Sequence, residues 1–522
     1  MTAGPAYYVT SPIYYVNDSP HIGHAYTSLA CDALARFMRL EGRRVKFLTG
    51  TDEHGQKVEK AAAQAGEDPQ AFVDRVSARF RRLSDVMAFT NDDFVRTTEP
   101  RHVASVQHLW RELVKRDWIY LGTYAGWYSV RDEAFYAESE LVDGKAPTGA
   151  PVEWVEEPSY FFRLSASAEP LLKFYGENPD FILPPSRRNE VVSFVRGGLT
   201  DLSVSRTSFR WGVPVPDDPD HVMYVWIDAL TNYLTGVGYP DAGCEDYQTF
   251  WPADCHMVGK DILRFHAVYW PAFLLAAGIA RPKRVFAHGW WTNEGHKISK
   301  SLGNIIDPLA LVERYGLDAV RYFLLREVPF GNDGDFSHRA MIGRKNSDLA
   351  NDFGNLVQRV LTMISRNCEA RVPEPGPFDQ ADLDLWEYAE ELRTDMGVCL
   401  SRQEFHGALE ALWRVIGEAN RYVDGQAPWA LRKRDPARMR TVLYVLAETI
   451  RHLATLAQPF IPIGAGRILD QLAVPADGRS FASLAFRERG APAVGALVPG
   501  TPLPRPQGVF PRHPEEAGAS AP

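Results

Sequence analysis

The chain has 522 residues, 45% of them hydrophobic and 24% charged, with a formal net charge of −9. That is too long for one hydrophobic core, so several domains of an ordinary soluble protein are expected. The acidic total excludes indiscriminate nucleic-acid binding but not a local basic surface, because the field at a site depends on nearby charges.

No basic segment and apolar signal core open the chain, so export is not expected. Residues 7–15 are rich in aromatic and β-branched side chains, as strands are. Residues 27–41 place Leu29, Ala33, Phe37 and Leu40 on one helical face, and Gly42 follows as a stop. Residues 45–48 read as a short buried parallel strand. Together they predict a β-α-β unit. From about residue 116 to Pro216, Tyr, Trp, Gly and Pro dominate, including Tyr160-Phe-Phe-Arg-Leu, which reads as an irregular α+β insertion. The α/β pattern resumes near Met223-Tyr-Val-Trp-Ile and continues through His256-Met-Val-Gly and Arg284-Val-Phe-Ala-His to about Phe323. Within it, residues 268–280 are the most apolar run; they hold Pro271, are too short to span a bilayer and predict a buried helix.

Beyond Met341 the period is helical, with Leu349, Phe353, Leu356, Val360 and Ile364 in one stripe and Leu409, Leu412, Val415 and Ile416 in another. From about Glu488 the chain is rich in Pro, Gly and Ala and is expected to be disordered. Cys31, Cys244, Cys255, Cys368 and Cys399 form no C-x-x-C pair, which indicates reduced thiols in a cytoplasmic compartment. The expected fold class is α/β: a Rossmann-like parallel-sheet domain in two halves, 1–115 and 223–325, split by an insertion at 116–222. A linking segment at 326–345, an all-α bundle at 346–487 and a tail at 488–522 follow.

Two segments carry chemistry. Pro20-His21-Ile22-Gly23-His24 falls where the first strand hands over to the first helix. Such a junction offers unpaired N–H groups and the positive helix end to a phosphate. Gly23 lets a nucleotide lie against the backbone, and two imidazoles can donate to phosphate oxygens as charge develops. Far downstream, His296-Lys297-Ile298-Ser299-Lys300-Ser301 sits in a Gly/Asn-rich loop, where two lysines suit a pyrophosphate leaving group. Alone, the first segment could be a turn with incidental imidazoles and the second a solvated loop; their pairing favours chemistry.

H-I-G-H followed by K-I-S-K-S resembles the paired motifs of class I aminoacyl-tRNA synthetases, the second usually written K-M-S-K-S. Pro12-Ile13-Tyr14-Tyr15-Val16-Asn17, Gly50-Thr51-Asp52-Glu53-His54-Gly55, Val225-Trp226-Ile227-Asp228-Ala229 and Gly259-Lys260-Asp261-Ile262 are similar to blocks of methionyl-tRNA synthetases. The likeness spans about residues 6 to 480 in order.

The resemblance implies activation of L-methionine by ATP with Mg²⁺, then transfer to tRNA(Met), initiator tRNA included. It implies catalytic roles for His21, His24, Lys297 and Lys300, and ATP contacts from these with Gly23, Asp261, His288, Gly289 and Ser299. Methionine would lie among Ile13, Tyr15, Trp226, Ala229, Leu230, Tyr233, Ile262, His266 and Trp270, with Asp52 on the ammonium. Aromatic walls suit a polarizable thioether, although such aromatics also serve as plain core, and Asp52 could equally cap a helix. Ile262, His266 and Trp270 lie four apart, as on one helical face. The resemblance makes 346–487 an anticodon-binding domain, with contacts from Asn355, Arg359 and Trp429. Nearby, Arg432, Lys433, Arg434, Arg438 and Arg440 face only Asp435 as a local acid, which suits phosphates or simply a solvated face.

The chain departs from many relatives in three ways. Ser129 and Asp132 stand at the C-x-x-C spacing of a zinc knuckle, so no zinc or other protein-held metal is expected, and the insertion would be held by Trp127, Phe135, Tyr136, Phe161 and Phe162. Ile298 replaces the usual Met. No dimerisation module is read after the bundle, so a monomer without membrane contact is expected. Rival readings are another class I synthetase, a silent tRNA-binding protein and a small-molecule nucleotidyltransferase. The insertion is short for an editing domain, a cysteinyl enzyme would want zinc, and the latter two would not need both intact motifs and the bundle.

Overall fold

The computed structural model describes residues 4–16, 19–132, 134–136, 138–298, 304–484 and 495–514. Its centre is one sheet of six strands: β1 (Ala6–Tyr15), β2 (Arg44–Asp52), β3 (Asp93–Arg96), β4 (Ile182–Leu183), β5 (Cys255–Gly259) and β6 (Val285–His288). Their order is β3-β2-β1-β5-β6-β4, and every ladder is parallel. Order reverses beside β1, so the carboxyl ends of β1 and β5 border the crevice where ligands of such sheets bind. Strands β1 and β5, neighbours in the sheet, lie far apart in the chain, with 246 positions between Thr10 and its partner His256.

Helix α1 (Ile22–Leu40) follows β1 and begins five residues earlier than the pattern from Thr27 suggests, because His21 caps it. Its buried face, with Leu29, Ala33 and Phe37, packs into the larger apolar core. Helices α2 (Pro100–Lys115) and α3 (Val225–Thr235) cover the other face. Val225-Trp-Ile is therefore the first turn of a helix, entered from the antiparallel strand Asp218–Met223. The apolar run near 270 is a buried helix, Trp270–Ala277, as its composition predicts.

Between α2 and α3 a long antiparallel ribbon, Ile119–Ser129 with Glu153–Phe162, leads the insertion, paired from Ile119↔Phe162 to Tyr128↔Glu153. Trp127 and Trp154 meet edge to face at its tip, 5.3 Å apart. Beyond α4 (Leu317–Arg326) the chain is a helical stack. Its members include α5 (Asn355–Asn367), α6 (Gln380–Ser401), α7 (Phe405–Gln426), α8 (Pro428–Arg434), α9 (Pro436–Ala457) and α10 (Pro462–Gln471). The stripes from Leu349 to Ile364 and from Leu409 to Ile416 are buried in it.

Arg321 on α4 ties bundle to sheet. It is fully buried, donates to Asp32 of α1 at 2.7 Å, and also bonds the carbonyls of Met87, Pro459 and Phe460.

The expectation of a disordered tail from 488 is corrected for residues 495–514. Their backbone bonds Val372 and Ala370, with Val372 N donating to Thr501 O at 2.9 Å and Leu503 N to Ala370 O at 2.7 Å. Leu497 and Val509 are buried, and Phe510 lies against Phe353. A few apolar anchors and carbonyl partners suffice to order a Pro/Gly-rich strap that composition alone reads as solvated.

Candidate active site

The two histidines cap their own helix. His21 is the N-cap of α1; its Nδ1 accepts the Gly23 N–H at 3.1 Å, and His24 Nδ1 accepts the His21 N–H, also at 3.1 Å. Two N–H groups that a helix start leaves without partners are thus satisfied reciprocally. A neutral imidazole whose Nδ1 accepts carries its proton on Nε2, so both rings, 3.9 Å apart, hold an Nε2–H donor. Desolvation between the rings of Tyr14 and Phe80, then the charge of His21, keeps His24 well below the ordinary imidazole range. At Gly23 a Cβ would lie 3.0 Å from the His21 ring, so a larger residue would press on that imidazole.

The second half of the site comes from the end of β6. His288 Nδ1 faces the Gly289 carbonyl at 2.8 Å and therefore carries the ring proton; its Nε2 takes the Thr27 hydroxyl of α1 at 2.6 Å. Burial lowers the His288 imidazole. At Gly289 a Cβ would fall 2.1 Å from the Asn332 carbonyl oxygen, so only glycine lets that segment cross here. Asp333 accepts from the Trp290 N–H at 2.8 Å and from Lys260 at 2.7 Å, while the Trp290 indole donates to Asp261 at 3.2 Å. Asp261 is thereby set beside the 288–290 turn.

Lys297 lies in a two-residue strand whose backbone pairs with Thr292. Ser299 and Lys300 fall outside the described residues. Both flanks of that loop are anchored: Ile298 packs on the larger core, Asn304 O accepts from the Asn293 amide at 3.0 Å, and Ile306 O accepts the Ile22 N–H at 3.1 Å. The flank that follows the loop thus meets the first turn of α1, at Ile306.

Beside this cradle the ends of β1 and β2 turn toward α3. Thr10 pairs with Leu48 but Ile13 with Gly50, so a one-residue bulge re-aims the end of β1 and sets Tyr15 opposite Asp52. Asp52 is buried at the end of β2 and is not a helix cap; Gly55 precedes the next helix. Its neighbours are held on opposite sides. Glu53 takes a two-pronged bond from Arg96, at 2.7 and 2.9 Å. His54 Nδ1 lies 2.7 Å from Asp228 on α3, whose other oxygen is 2.9 Å from His102 on α2. Burial alone would raise the Asp228 carboxyl; His54 and His102 override it and hold it at about 2.

From α3 the side chains of Trp226, Ala229, Leu230 and Tyr233 follow, the last three buried. Trp226 stacks on Phe265 at 3.7 Å. Tyr233 OH lies 2.7 Å from His266 Nε2, and His266 Nδ1 2.9 Å from the Ile262 carbonyl. Burial pushes His266 down to about 4. Trp270 lies 6.0 Å from Tyr233, ring to ring. The expected single helical face for Ile262, His266 and Trp270 is corrected: Lys260–Ile262 is a 3₁₀ turn and Phe265–Tyr269 a π turn. Ile262 and His266 still touch, and such turns are frequent where function needs a re-aimed side chain.

In the bundle, Arg359 of α5 sits 5.7 Å over the ring of Trp429 and 2.8 Å from Asp424, while Asn355 and Trp429 are exposed. Arg438 is spent inside the bundle on Asp379 and Asp382; Arg432, Lys433, Arg434 and Arg440 remain exposed. At the knuckle spacing, Asp132 accepts from Ser129 and Tyr136, both at 3.2 Å, and from Thr148. The side chain of Phe135 lies outside the described residues. Among the described residues, no group of three or more His, Cys, Asp or Glu could hold a metal ion.

Thr27, His54, His102, Asp228 and Asp333 hold these side chains in place, yet reading the sequence assigned none of them a role. Their partners lie 261, 174 or 126 positions away in the cases of Thr27–His288, His54–Asp228 and His102–Asp228, so no local signal exists.

The family described as tRNA synthetases class I (M) matches residues 7–153 and 148–361, and the anticodon binding domain of methionyl tRNA ligase matches 372–519. Methionine–tRNA ligase of Mesorhizobium japonicum is 56% identical over 520 residues, 99% of each chain. That of Mycobacterium tuberculosis H37Rv is 55% identical over 97% of this chain and 98% of its own. A solved structure of M. tuberculosis methionyl-tRNA synthetase in complex with methionyl-adenylate superposes with a TM-score of 0.93 at 54% identity, covering 97% of this chain and 100% of that one.

Proposed function

The chain belongs to the methionyl-tRNA synthetase family of class I enzymes, and we propose that it activates L-methionine with ATP and charges tRNA(Met), initiator tRNA included. The observation that supports this most is the meeting of α1 with the 288–306 segment, through Thr27–His288 and Ile22–Ile306, beside the wall of Tyr233, His266 and Trp270.

In this reading the methionine carboxylate attacks the α-phosphorus in line and pyrophosphate leaves. His21 and His24 donate Nε2–H to phosphate oxygens as charge builds, without moving, which is how preorganised donors lower a barrier. Lys297 and Lys300, with Ser299, neutralise the departing pyrophosphate; Gly23, Asp261, His288 and Gly289 hold the rest of ATP. Magnesium would be carried on the phosphates of ATP as part of the substrate, where it would neutralise their charge. Asp52 holds the substrate ammonium, and the side chain lies among Ile13, Tyr15, Trp226, Ala229, Leu230, Tyr233, Ile262, His266 and Trp270. The tRNA ribose hydroxyl, the 2′-hydroxyl in class I enzymes, then attacks the aminoacyl carbonyl. Asn355, Arg359 and Trp429 read the anticodon, with Trp429 as a stacking platform. The domain limits 1–115, 116–222, 223–325, 326–345 and 346–487, a cytoplasmic monomer and the absence of structural zinc belong to the same proposal.

The test is direct. Enzyme incubated with ATP and methionine, then freed of small molecules, should carry methionyl-adenylate by mass spectrometry and discharge it onto added tRNA(Met). Adenylate of another amino acid, or none, would overturn the reading.

A further inference from the structure

We infer that His256 is a positioning residue of the methionine site: anchored by Thr10, its ring sets the face of Tyr233 and the edge of Trp270 at a fixed spacing. The inference rests on the methionine reading above.

His256 lies on β5 near the middle of the sheet, fully buried, directly across the ladder from Thr10 of β1. Three contacts fix its ring. Trp270 Nε1 is 3.3 Å from His256 Nε2. An indole N–H can only donate, so Nε2 is the acceptor and the ring proton sits on Nδ1. Nδ1 is 2.8 Å from Thr10 Oγ1, so it donates to that hydroxyl. The ring face lies against Tyr233, with centroids 4.1 Å apart and planes 26° apart.

One layer further out, His266 repeats the arrangement. Its Nδ1 faces the Ile262 carbonyl and must donate, so its Nε2 accepts from the Tyr233 hydroxyl. The indole N–H of Trp270 and the phenol O–H of Tyr233 are therefore both engaged by imidazole Nε2 atoms. What these two walls offer a substrate is their aromatic faces, which suit a thioether. A protonated His256 would turn an N–H toward the indole N–H; burial, then the charge of His266, holds it well below the ordinary range. An apolar residue at 256 would fill the space but leave the Trp270 N–H buried without an acceptor, and the wall would shift to find one.

The test compares His256→Ala, His256→Gln and Thr10→Val with the wild type in ATP–pyrophosphate exchange driven by methionine. His256→Ala should raise the methionine KM about tenfold or more, leaving kcat and the ATP KM within about threefold, the signature of lost uniform binding. His256→Gln, which keeps one acceptor and one donor, should recover most of that loss. Thr10→Val should raise the methionine KM about threefold, and it carries the test should His256→Ala fail to fold. A folded His256→Ala, or Thr10→Val, with an unchanged methionine KM would overturn the inference, as would equal rises for methionine and ATP. Failure of the wild type itself to use methionine would overturn the underlying reading instead.

Discussion

The Thr27 hydroxyl lies 2.6 Å from His288 Nε2, joining the helix that carries both motif histidines to the strand that leads into the lysine loop. The two residues are 261 positions apart in the chain. Because His288 donates its one ring proton, on Nδ1, to a carbonyl, its Nε2 must accept here. The contact therefore has one direction and one geometry, and it joins the two segments that the proposed reading places around the triphosphate.

Lys300→Ala tests the grip on the leaving group. A cation facing charge that develops in the transition state is worth roughly 10²–10³ in rate. Exchange should fall by about that factor, and the thermal midpoint should stay within a few degrees.

Trp429→Ala separates the two ends of the molecule. Trp429 is 52% exposed, with Arg359 over its ring. Stacking of a base is worth about 1–3 kcal/mol. Exchange without tRNA should be unaffected while kcat/KM for tRNA charging falls about 5- to 150-fold. Equal losses in both assays would remove the anticodon role.

Arg321→Met addresses the join between bundle and sheet. It would leave the buried Asp32 carboxylate with Arg36 and Thr90 but without its fully buried partner. Removing one member of a buried pair costs about 3–5 kcal/mol, which urea unfolding would read as a lowered midpoint at unchanged slope.

Acid should weaken the bundle through His452. Burial, then the charge of Arg451, pushes this imidazole down to about 3 from its ordinary 6.5. Above pH 6.5 folded and unfolded chains both hold it neutral, and it contributes nothing to pH dependence. Below 6.5 the unfolded chain takes up a proton that the folded chain refuses until about pH 3, so stability falls as pH falls, by about 1.4 kcal/mol per pH unit for this group. His452→Gln should flatten the stability–pH slope between pH 6 and 4 by about that amount. An unchanged slope would place the protonation elsewhere.

Much of this architecture is legible residue by residue. Tyr7 to Leu48 announces a strand, a helix and a strand because periods of 2 and 3.6 are local properties. His21 and His24 are legible as the strand–helix junction, where the structure places them as the cap of α1. Other features are not local. The Asp228 bracket by His54 and His102 depends on tertiary folding alone. The π turn at 265–269 is invisible because a spacing of four reads the same in either helix. The strap at 495–514 is decided by Leu497, Val509 and Phe510, too few to change its composition.

The central claim is that a phosphate cradle made from two distant segments serves a methionine-shaped cavity. ATP–pyrophosphate exchange with each of the twenty amino acids measures both parts at once, since turnover requires the cradle and selectivity requires the cavity. The account predicts exchange with methionine alone at low concentration. Exchange driven preferentially by leucine or cysteine, or by none of the twenty, would contradict it.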